Sequence, residues 1–211
     1  MTEHQRRSRV GTSGWDHRHW QGHFYPESLP QRARLGYASQ RLSTLEINTT
    51  FHGGGSPSSF RAWWDATPAD FVFSVKGPKA ITHDRALRNP ARGIAEFFAS
   101  GVLELREKLG SVLWQTSPGF KFSPQIVEEF LALLPHTVAE TQSLMEQHGI
   151  AEGARNVPDR PIRHAIEVRD SSFSSPAFIE LLRRHDVAAV VTNSPGWPQL
   201  RDVTADFVYL R

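Results

Sequence analysis

Polar and charged side chains occur at the ends of short, strand-like segments of this sequence. In residues 69–76 apolar side chains alternate along one face, and Lys76 ends the opposite face. A cation at the end of a buried strand is unfavourable unless an anion compensates its charge. A lysine in this position can instead extend into solvent. The segment therefore predicts either an anion-binding lysine or a solvated one.

The same alternation recurs in the other strand-like segments. At their ends the inward-facing residues are Glu46 and Asn48, Lys76, Gln115, Glu167 and Arg169, Asn193, and Arg211. The deeper inward positions are mostly small or apolar: Thr44, Val72, Ser74, Leu113, Ala165, Ala189, Val191, Phe207 and Tyr209. In a barrel of parallel strands, inward residues at the carboxyl ends of the strands meet the substrate. We therefore expect a functional pocket where these ends converge.

Strand-like and helix-like segments alternate along the chain. Strands are predicted at residues 10–15, 42–48, 69–76, 111–115, 162–169, 187–192 and 207–211. Helices are predicted at residues 30–41, 57–65, 93–109, 124–134, 138–148 and 176–185. The predicted N-caps are Ser56, Ser123, Thr137 and Ser175, and Thr137 with Glu140 matches a capping box.

This alternation predicts a parallel sheet covered by helices. No Gly-x-Gly-x-x-Gly follows the first strand, which disfavours a dinucleotide-binding open sheet. We therefore expect an α/β fold of the TIM (β/α)8 type. Such barrels have eight strands and about 250 residues, so this chain is expected to lack the last strand and helix. Residues 1–211 are predicted to form a single domain of this kind.

Composition excludes several functional classes. The net charge is only +2, so composition gives no strong nucleic-acid signal. The chain has no cysteine, which excludes disulfides and thiol chemistry and suits a reducing compartment. Residues 1–9 are polar, so we expect no signal peptide there, and no run approaches the roughly 20 apolar residues of a membrane span. We therefore expect a soluble, cytoplasmic protein that does not bind membranes.

Several motifs resemble those of the YecE-like family, which is also called domain of unknown function 72. They are Gly11-Thr12-Ser13-Gly14-Trp15, Trp20, Phe24-Tyr25-Pro26, Glu46-Ile47-Asn48-Thr49-Thr50-Phe51, Phe73-Ser74-Val75-Lys76, Ile81-Thr82-His83, Glu167-Val168-Arg169 and Phe207-Val208-Tyr209-Leu210-Arg211. The resemblance implies a TIM barrel with no established reaction. The polar motif residues that it carries over are Glu46, Asn48, Lys76, His83, Gln115, Glu167, Arg169 and Arg211.

The sequence also departs from the pattern of that family. His17 and His52 replace tyrosines, and Phe173 replaces a tryptophan. Asn193 replaces an aspartate, which puts an acid–base or metal role for that position in doubt. The chain also ends before the closing strand of the family, which puts an intact barrel in doubt.

The first functional hypothesis is an enzyme or binder for an anionic, phosphorylated small molecule. Its catalytic residues would be Glu46, Lys76 and Glu167, acting in acid–base chemistry as a hydrolase or a lyase. Its substrate-binding residues would be Asn48, His83, Gln115, Arg169, Asn193, Arg211 and Trp15. The structural alternative is a network in which the two glutamates pair with Lys76 and Arg169. The sequence identifies no cofactor, and Gly53-Gly54-Gly55 lacks the Lys-Ser/Thr of a P-loop.

Other classes of function remain open. A metal-dependent phosphodiesterase or endonuclease of the apurinic-endonuclease type would use Glu46, His52, His83 and Glu167 as ligands. Their spacing is not that of a tight metal site, and the nearby cations would repel a metal, so no metal ligand is assigned. A non-catalytic nucleic-acid-binding module would use the aromatic loop 15–25, whose rings would otherwise plug the barrel rim. A glycosidase with two carboxylates is disfavoured because the nearby cations would keep both ionised.

Overall fold

The computed structural model describes residues 8–150 and 157–211. Seven strands form one parallel sheet in the order of the sequence. They are β1 (Gly11–Ser13), β2 (Thr44–Ile47), β3 (Val72–Lys76), β4 (Leu109–Gln115), β5 (Arg163–Glu167), β6 (Val187–Val191) and β7 (Tyr209–Leu210). Because every strand runs the same way, their carboxyl ends lie along one edge.

Helices connect the strands and cover one face of the sheet. The α-helices are α1 (Arg34–Ser39), α2 (Pro57–Asp65), α3 (Ala91–Ala99), α4 (Pro124–Leu131), α5 (Val138–Gln147) and α6 (Pro176–Arg184). Shorter 3₁₀ turns lie at Arg18–Trp20, Gln31–Ala33, Thr49–His52, Val102–Lys108 and Ser171–Phe173, and a π-helical turn lies at Ala80–Asp84. In the described ranges, no helix is both long and apolar enough to cross a membrane.

The sheet separates two apolar regions of different size. Between sheet and helices lies a large core, in which Phe73 and Trp114 pack with helix residues such as Phe60 and Phe130. The opposite, concave face carries a smaller cluster of Leu113, Ala165, Ala188 and Val190. Small residues are required on the concave face because the strands curve towards one another there.

The curvature of the sheet brings β7 close to β2 and β3. The Tyr209 hydroxyl lies 2.8 Å from Ser74 Oγ and 2.8 Å from Glu46 Oε2, across the concave face. Within the described residues, however, β1 pairs only with β2 and β7 only with β6. The sheet is therefore a seven-stranded half-barrel, and the full TIM barrel expected from the sequence is not confirmed. That the whole chain is one domain stays a prediction.

Most predicted elements are observed, with shifted boundaries. The predicted helix 93–109 was wrong in its second half, because α3 ends at Ala99 and Gly101 adopts φ +111°. A 3₁₀ segment follows, and Leu109 already belongs to β4. The predicted helix 30–41 begins as a 3₁₀ turn and is α-helical only over Arg34–Ser39.

The predicted facing of strand β6 was wrong by one residue. Ala188 and Val190 lie on the concave face, whereas Ala189 packs in the outer core. All five residues of β6 are alanine or valine, so alternation carries no information about which face is buried. The pairing of β6 with β5 determines which residues of β6 face the concave side, because Ala165 on that side is in register with Ala188.

Candidate functional site

Five strands deliver polar side chains to the carboxyl-terminal edge of the sheet. Glu46 lies near the end of β2, Lys76, Gln115 and Glu167 end β3, β4 and β5, and Arg211 follows β7 directly. The first four are buried, and the most exposed of them, Lys76, is 9% exposed. The predicted convergence of these side chains at one edge is observed. Their catalytic and binding roles stay predictions.

Arg211 links two of the strands through both buried carboxylates. Its Nε donates to Glu46 Oε2 at 3.1 Å, and its Nη2 donates to Glu46 Oε1 at 3.1 Å. Its Nη1 donates to Glu167 Oε2 at 3.2 Å. The planar guanidinium suits this bidentate geometry, so Arg211 holds the ends of β2 and β5 at a defined separation.

Glu46 is fully occupied by hydrogen bonds. Besides Arg211, Ser13 Oγ donates to its Oε1 at 3.0 Å and the Tyr209 hydroxyl donates to its Oε2 at 2.8 Å. Burial by itself would raise the pKa of Glu46. The hydrogen bonds and the positive charge of Arg211, together with the hydrogen bonds from Tyr209 and Ser13, hold that pKa below its ordinary value. Glu46 is therefore an ionised carboxylate without a free acceptor position.

Glu167 forms the second half of the network. Gln115 Nε2 donates to its Oε1 at 2.8 Å, and Arg169 Nε donates to the same oxygen at 3.0 Å. The guanidinium carbon of Arg169 lies 4.0 Å from the ring centroid of Trp197, in the segment that follows β6. Trp197 and Ser13 were not predicted as site residues. Ser13 belongs to a recognised motif, whereas no sequence pattern singles out Trp197.

Lys76 differs from the two arginines in having no polar partner. In residues 8–150 and 157–211, no side-chain or backbone acceptor takes a hydrogen bond from its Nζ, which lies 3.8 Å from the Phe51 ring centroid. Burial, followed by the charges of Arg211 and Arg169, lowers the pKa of Lys76, while both glutamates oppose this effect. The described cluster thus holds three cations against two carboxylates.

The structural alternative, a network of the two glutamates with Lys76 and Arg169, is observed in part: Arg169 pairs with Glu167, whereas Lys76 joins no ion pair among the described residues. A buried ion-pair network does exist, but its cations are Arg211 and Arg169. Alternation predicted that Arg211 faces inward at the end of the last strand, but the pattern of one strand does not show that β7 lies within reach of both carboxylates.

The position of Lys76 depends on close packing around it. Thr50 Oγ1 donates to the Lys76 carbonyl at 2.6 Å, and this anchors the turn that carries Phe51. Gly77 follows, and a Cβ at that position would lie 2.4 Å from the ring of Trp114. Since Trp114 is fully buried, glycine is the residue that lets β3 end here.

His83 and Asn48 border this cluster. His83 lies on the π-helical turn, with Nδ1 2.9 Å from Thr82 Oγ1 and its ring edge-on to Phe51 at 5.0 Å. Burial, then the charges of Lys76 and Arg169, lower the pKa of His83, so its ring is neutral at pH 7. Asn48 Nδ2 donates to Ser13 Oγ at 2.6 Å, and its buried Oδ1 has no partner among the described residues.

Comparison with known proteins identifies the family. The sequence model described as "Protein of unknown function DUF72" matches residues 9–211. The chain belongs to the DUF72 family. The predicted YecE-like resemblance is thereby confirmed. No curated protein matches the chain.

Solved structures of DUF72 proteins share this fold. A DUF72 protein from Thermotoga maritima is 27% identical, with a TM-score of 0.70 over 96% of this chain and 72% of that one. A DUF72 protein from Enterococcus faecalis is 22% identical, with a TM-score of 0.61 over 93% of this chain and 66% of that one. The second similarity shows the fold alone.

Two predicted site residues of this DUF72 chain add no side chain to the cluster. Asn193 is exposed beyond β6, and its backbone N–H donates to the Arg211 carbonyl at 3.3 Å, but among the described residues its side chain makes no hydrogen bond. Trp15 lies on the helix side of the sheet, with its ring centroid 5.4 Å from that of Trp63 and 6.4 Å from that of Phe73. Trp20 and Phe24 likewise pack against the outer core. The structure therefore places Trp15 away from the cluster and brings Asn193 to it through its backbone alone.

The ligand set of the metal-dependent alternative does not assemble. Across the two described ranges, no three histidine, aspartate or glutamate side chains are placed so that they could hold a metal ion. Glu46 and Glu167 direct their oxygens at arginines, and His52 is exposed.

Two surface grooves lie elsewhere, with volumes of about 380 Å³ beside α6 and about 520 Å³ between the start of α3 and the end of α4. Neither contains a residue of the charged cluster. Their shape alone gives no chemistry, whereas the cluster combines buried charge with an unpaired cation, so we take the cluster as the candidate site.

Proposed function

We propose that this DUF72 protein binds an anionic, phosphorylated small molecule at the carboxyl-terminal edge of its half-barrel and acts on it there. The observation that carries the proposal is Lys76, a residue that is 9% exposed and whose Nζ has no acceptor among the described residues but keeps some contact with solvent. A buried, unpaired cation is destabilising. An anionic ligand at this position offsets that cost, and a phosphate also supplies several acceptor oxygens.

Arg169 supports the same proposal. Only its Nε is used by Glu167, and within the described chain neither Nη atom donates a hydrogen bond to protein. Stacking on Trp197 fixes the guanidinium plane, and its side chain remains 17% exposed. Arg169 therefore presents two aligned donors beside Lys76, which is the geometry for bidentate phosphate recognition.

The network assigns different roles to the charged residues. Lys76 and Arg169 contact the ligand in this proposal, and His83 borders it. Glu46 and Glu167 were predicted as catalytic acid and base, but their oxygens are directed at arginines and Gln115. In this proposal they are positioning residues that hold Arg211 and Arg169.

Thermal melts with and without inorganic phosphate, at matched ionic strength in chloride, test the proposal. Phosphate is expected to raise the Tm of the wild type with its concentration, as a ligand of the folded state does. Lys76→Met should remove this response and leave the Tm without phosphate equal or higher, because a largely buried cation without a hydrogen-bond acceptor has been removed.

Lys79→Met is the matched control. Lys79 is exposed and pairs with Asp84 at 2.8 Å, so this variant should keep the phosphate response. A wild type without a phosphate response, or a Lys76→Met variant that keeps it, would contradict the proposal.

A further inference from the structure

We propose that Lys76 forms an imine through its Nζ with the aldehyde or ketone group of a molecule that also carries the anionic group. This inference rests on the proposed function, since the cations beside Lys76 bind the anionic part. It adds a chemical class of ligand, an anionic carbonyl compound, and a covalent role for one side chain.

The chain offers an internal comparison because it has only four lysines: Lys76, Lys79, Lys108 and Lys121. Lys108 is also buried, but its Nζ donates to the Trp64 carbonyl at 2.5 Å and to Thr67 O and Oγ1 at 2.7 and 3.1 Å. Burial lowers the pKa of Lys108 too, but its three acceptors match the three N–H donors of an ammonium, so Lys108 is held as a structural cation. Lys79 pairs with Asp84, and Lys121 is exposed. Of the four, Lys76 alone is buried without an acceptor among the described residues.

The surroundings of Lys76 give it a larger fraction of neutral amine, in equilibrium with the ammonium, than an exposed lysine has at the same pH. Burial and the guanidinium groups of Arg211 and Arg169 lower its pKa, whereas Glu46 and Glu167 act in the opposite direction. Each carboxylate is already compensated by arginine, which weakens that opposition. The Phe51 ring face favours the ammonium, but this contact is weaker than a hydrogen bond to an acceptor. An amine lone pair is the form that attacks a carbonyl carbon.

The step balances without an oxidant or a reductant. The Nζ lone pair attacks the carbonyl carbon, and a C–N bond forms as the C=O π-bond breaks. The resulting carbinolamine loses its oxygen as water, which carries away both hydrogens of the Nζ amine. The product is a C=N bond between Lys76 and the ligand. When this imine is protonated, its positive charge lies beside Glu46 and Glu167, in the place of the ammonium.

Pyridoxal 5′-phosphate is a suitable probe because it combines an aldehyde with a phosphate. The full chain is incubated with the probe, reduced with borohydride to trap the imine, digested, and the labelled lysines are quantified by mass spectrometry. Because a lowered pKa raises the free-amine fraction at a given pH, and because Lys76 lies beside the cations that bind the phosphate of the probe, labelling of Lys76 should exceed that of the exposed Lys79 and Lys121 several-fold. Inorganic phosphate should reduce it, and pyridoxal without phosphate should label Lys76 less.

Lys76→Met and Lys79→Met are the matched variants. The selective label should vanish in the first and persist in the second. Labelling of Lys76 no greater than that of Lys79 would overturn the imine, and if phosphate still raised the Tm, the anion site itself would stand. A different result is that pyridoxal and pyridoxal 5′-phosphate label Lys76 equally and that inorganic phosphate does not raise the Tm. This result would overturn the anion site and leave Lys76 as a reactive lysine.

Discussion

At the scale of single residues, some polar groups of the charged cluster have all their hydrogen-bond partners and others have none. Glu46 accepts four hydrogen bonds from Ser13, Tyr209 and Arg211. Because an ionised carboxylate only accepts, Tyr209 donates to Glu46 and accepts from Ser74. This network determines where Arg211 lies, and Lys76 is left outside it.

Glu46→Gln tests the strength of this network. The amide has one acceptor oxygen and an NH₂ group that would face the donors of Arg211 or Tyr209. We expect a loss of about 3–5 kcal/mol in the free energy of unfolding, as for other broken buried ion pairs. Urea denaturation measures it. Glu96→Gln is the control, because Glu96 pairs with Arg92 on the surface and its loss should stay within about 0.5 kcal/mol. Equal losses would show that the network is not stabilising.

A second prediction at this scale concerns His164, which is fully buried. Trp114 Nε1 donates to its Nδ1 at 3.2 Å, and its Nε2 lies 2.8 Å from the Pro135 carbonyl, so the ring is neutral. Burial lowers the pKa of His164 to about 3, with His136 nearby adding to the effect. The unfolded chain binds this proton below about pH 6.5 and the folded chain does not.

Stability should therefore fall as the pH is lowered from 6.5 towards 3. This one group contributes a loss of up to about 1.4 kcal/mol per pH unit. Denaturant unfolding between pH 8 and pH 5, above the carboxylate range, measures the slope. His164→Gln is expected to be less stable at pH 8 but to show a shallower slope. An unchanged slope would assign the acid sensitivity to other groups.

At the scale of elements, the helix starts differ in their capping. Thr137 Oγ1 accepts from the Glu140 backbone N–H at 3.0 Å, and Glu140 Oε2 accepts from the His136 N–H at 2.6 Å. Ser123 occupies the equivalent position of α4 without a side-chain hydrogen bond to the helix. The predicted capping box of α5 is thus observed with its glutamate bond one residue earlier.

Thr137→Ala is expected to reduce the free energy of unfolding by about 1 kcal/mol, because an amide N–H of the first turn of α5 loses its acceptor. Ser123→Ala should reduce the free energy of unfolding by less than about 0.5 kcal/mol, which makes it the matched control. Thermal melts of both variants at one pH provide the comparison. A larger loss at Ser123 than at Thr137 would contradict the assignment of the caps.

At the scale of the whole molecule, the two outer strands of the described half-barrel are β1 and β7. Within the described residues neither β1 nor β7 has a second strand partner. Val208 and Leu210 beside and within β7 are 53% and 73% exposed. Unpaired backbone groups next to exposed apolar side chains favour association between molecules.

We therefore expect concentration-dependent self-association, measured by sedimentation velocity over a concentration series. Leu210→Lys should reduce it, because a charge on an edge strand opposes edge-to-edge pairing. Leu133→Lys changes an apolar residue that is 37% exposed after α4 and should have no effect. A monomer at every concentration, or equal effects of both variants, would contradict a role for this edge.

The sequence by itself determined the alternation of strands and helices and the concave facing of Glu46, Lys76 and Glu167. Side chains in a strand alternate with a period of two, so one apolar face assigns the other. Uniformly apolar β6 carries no such signal, and its facing came from its register with β5. The tertiary structure alone decided that Arg211 and not Lys76 pairs with the glutamates. Which charges meet depends on the curvature that brings β7 across the concave face, and curvature is a property of the packed sheet, which the pattern of a single strand does not contain.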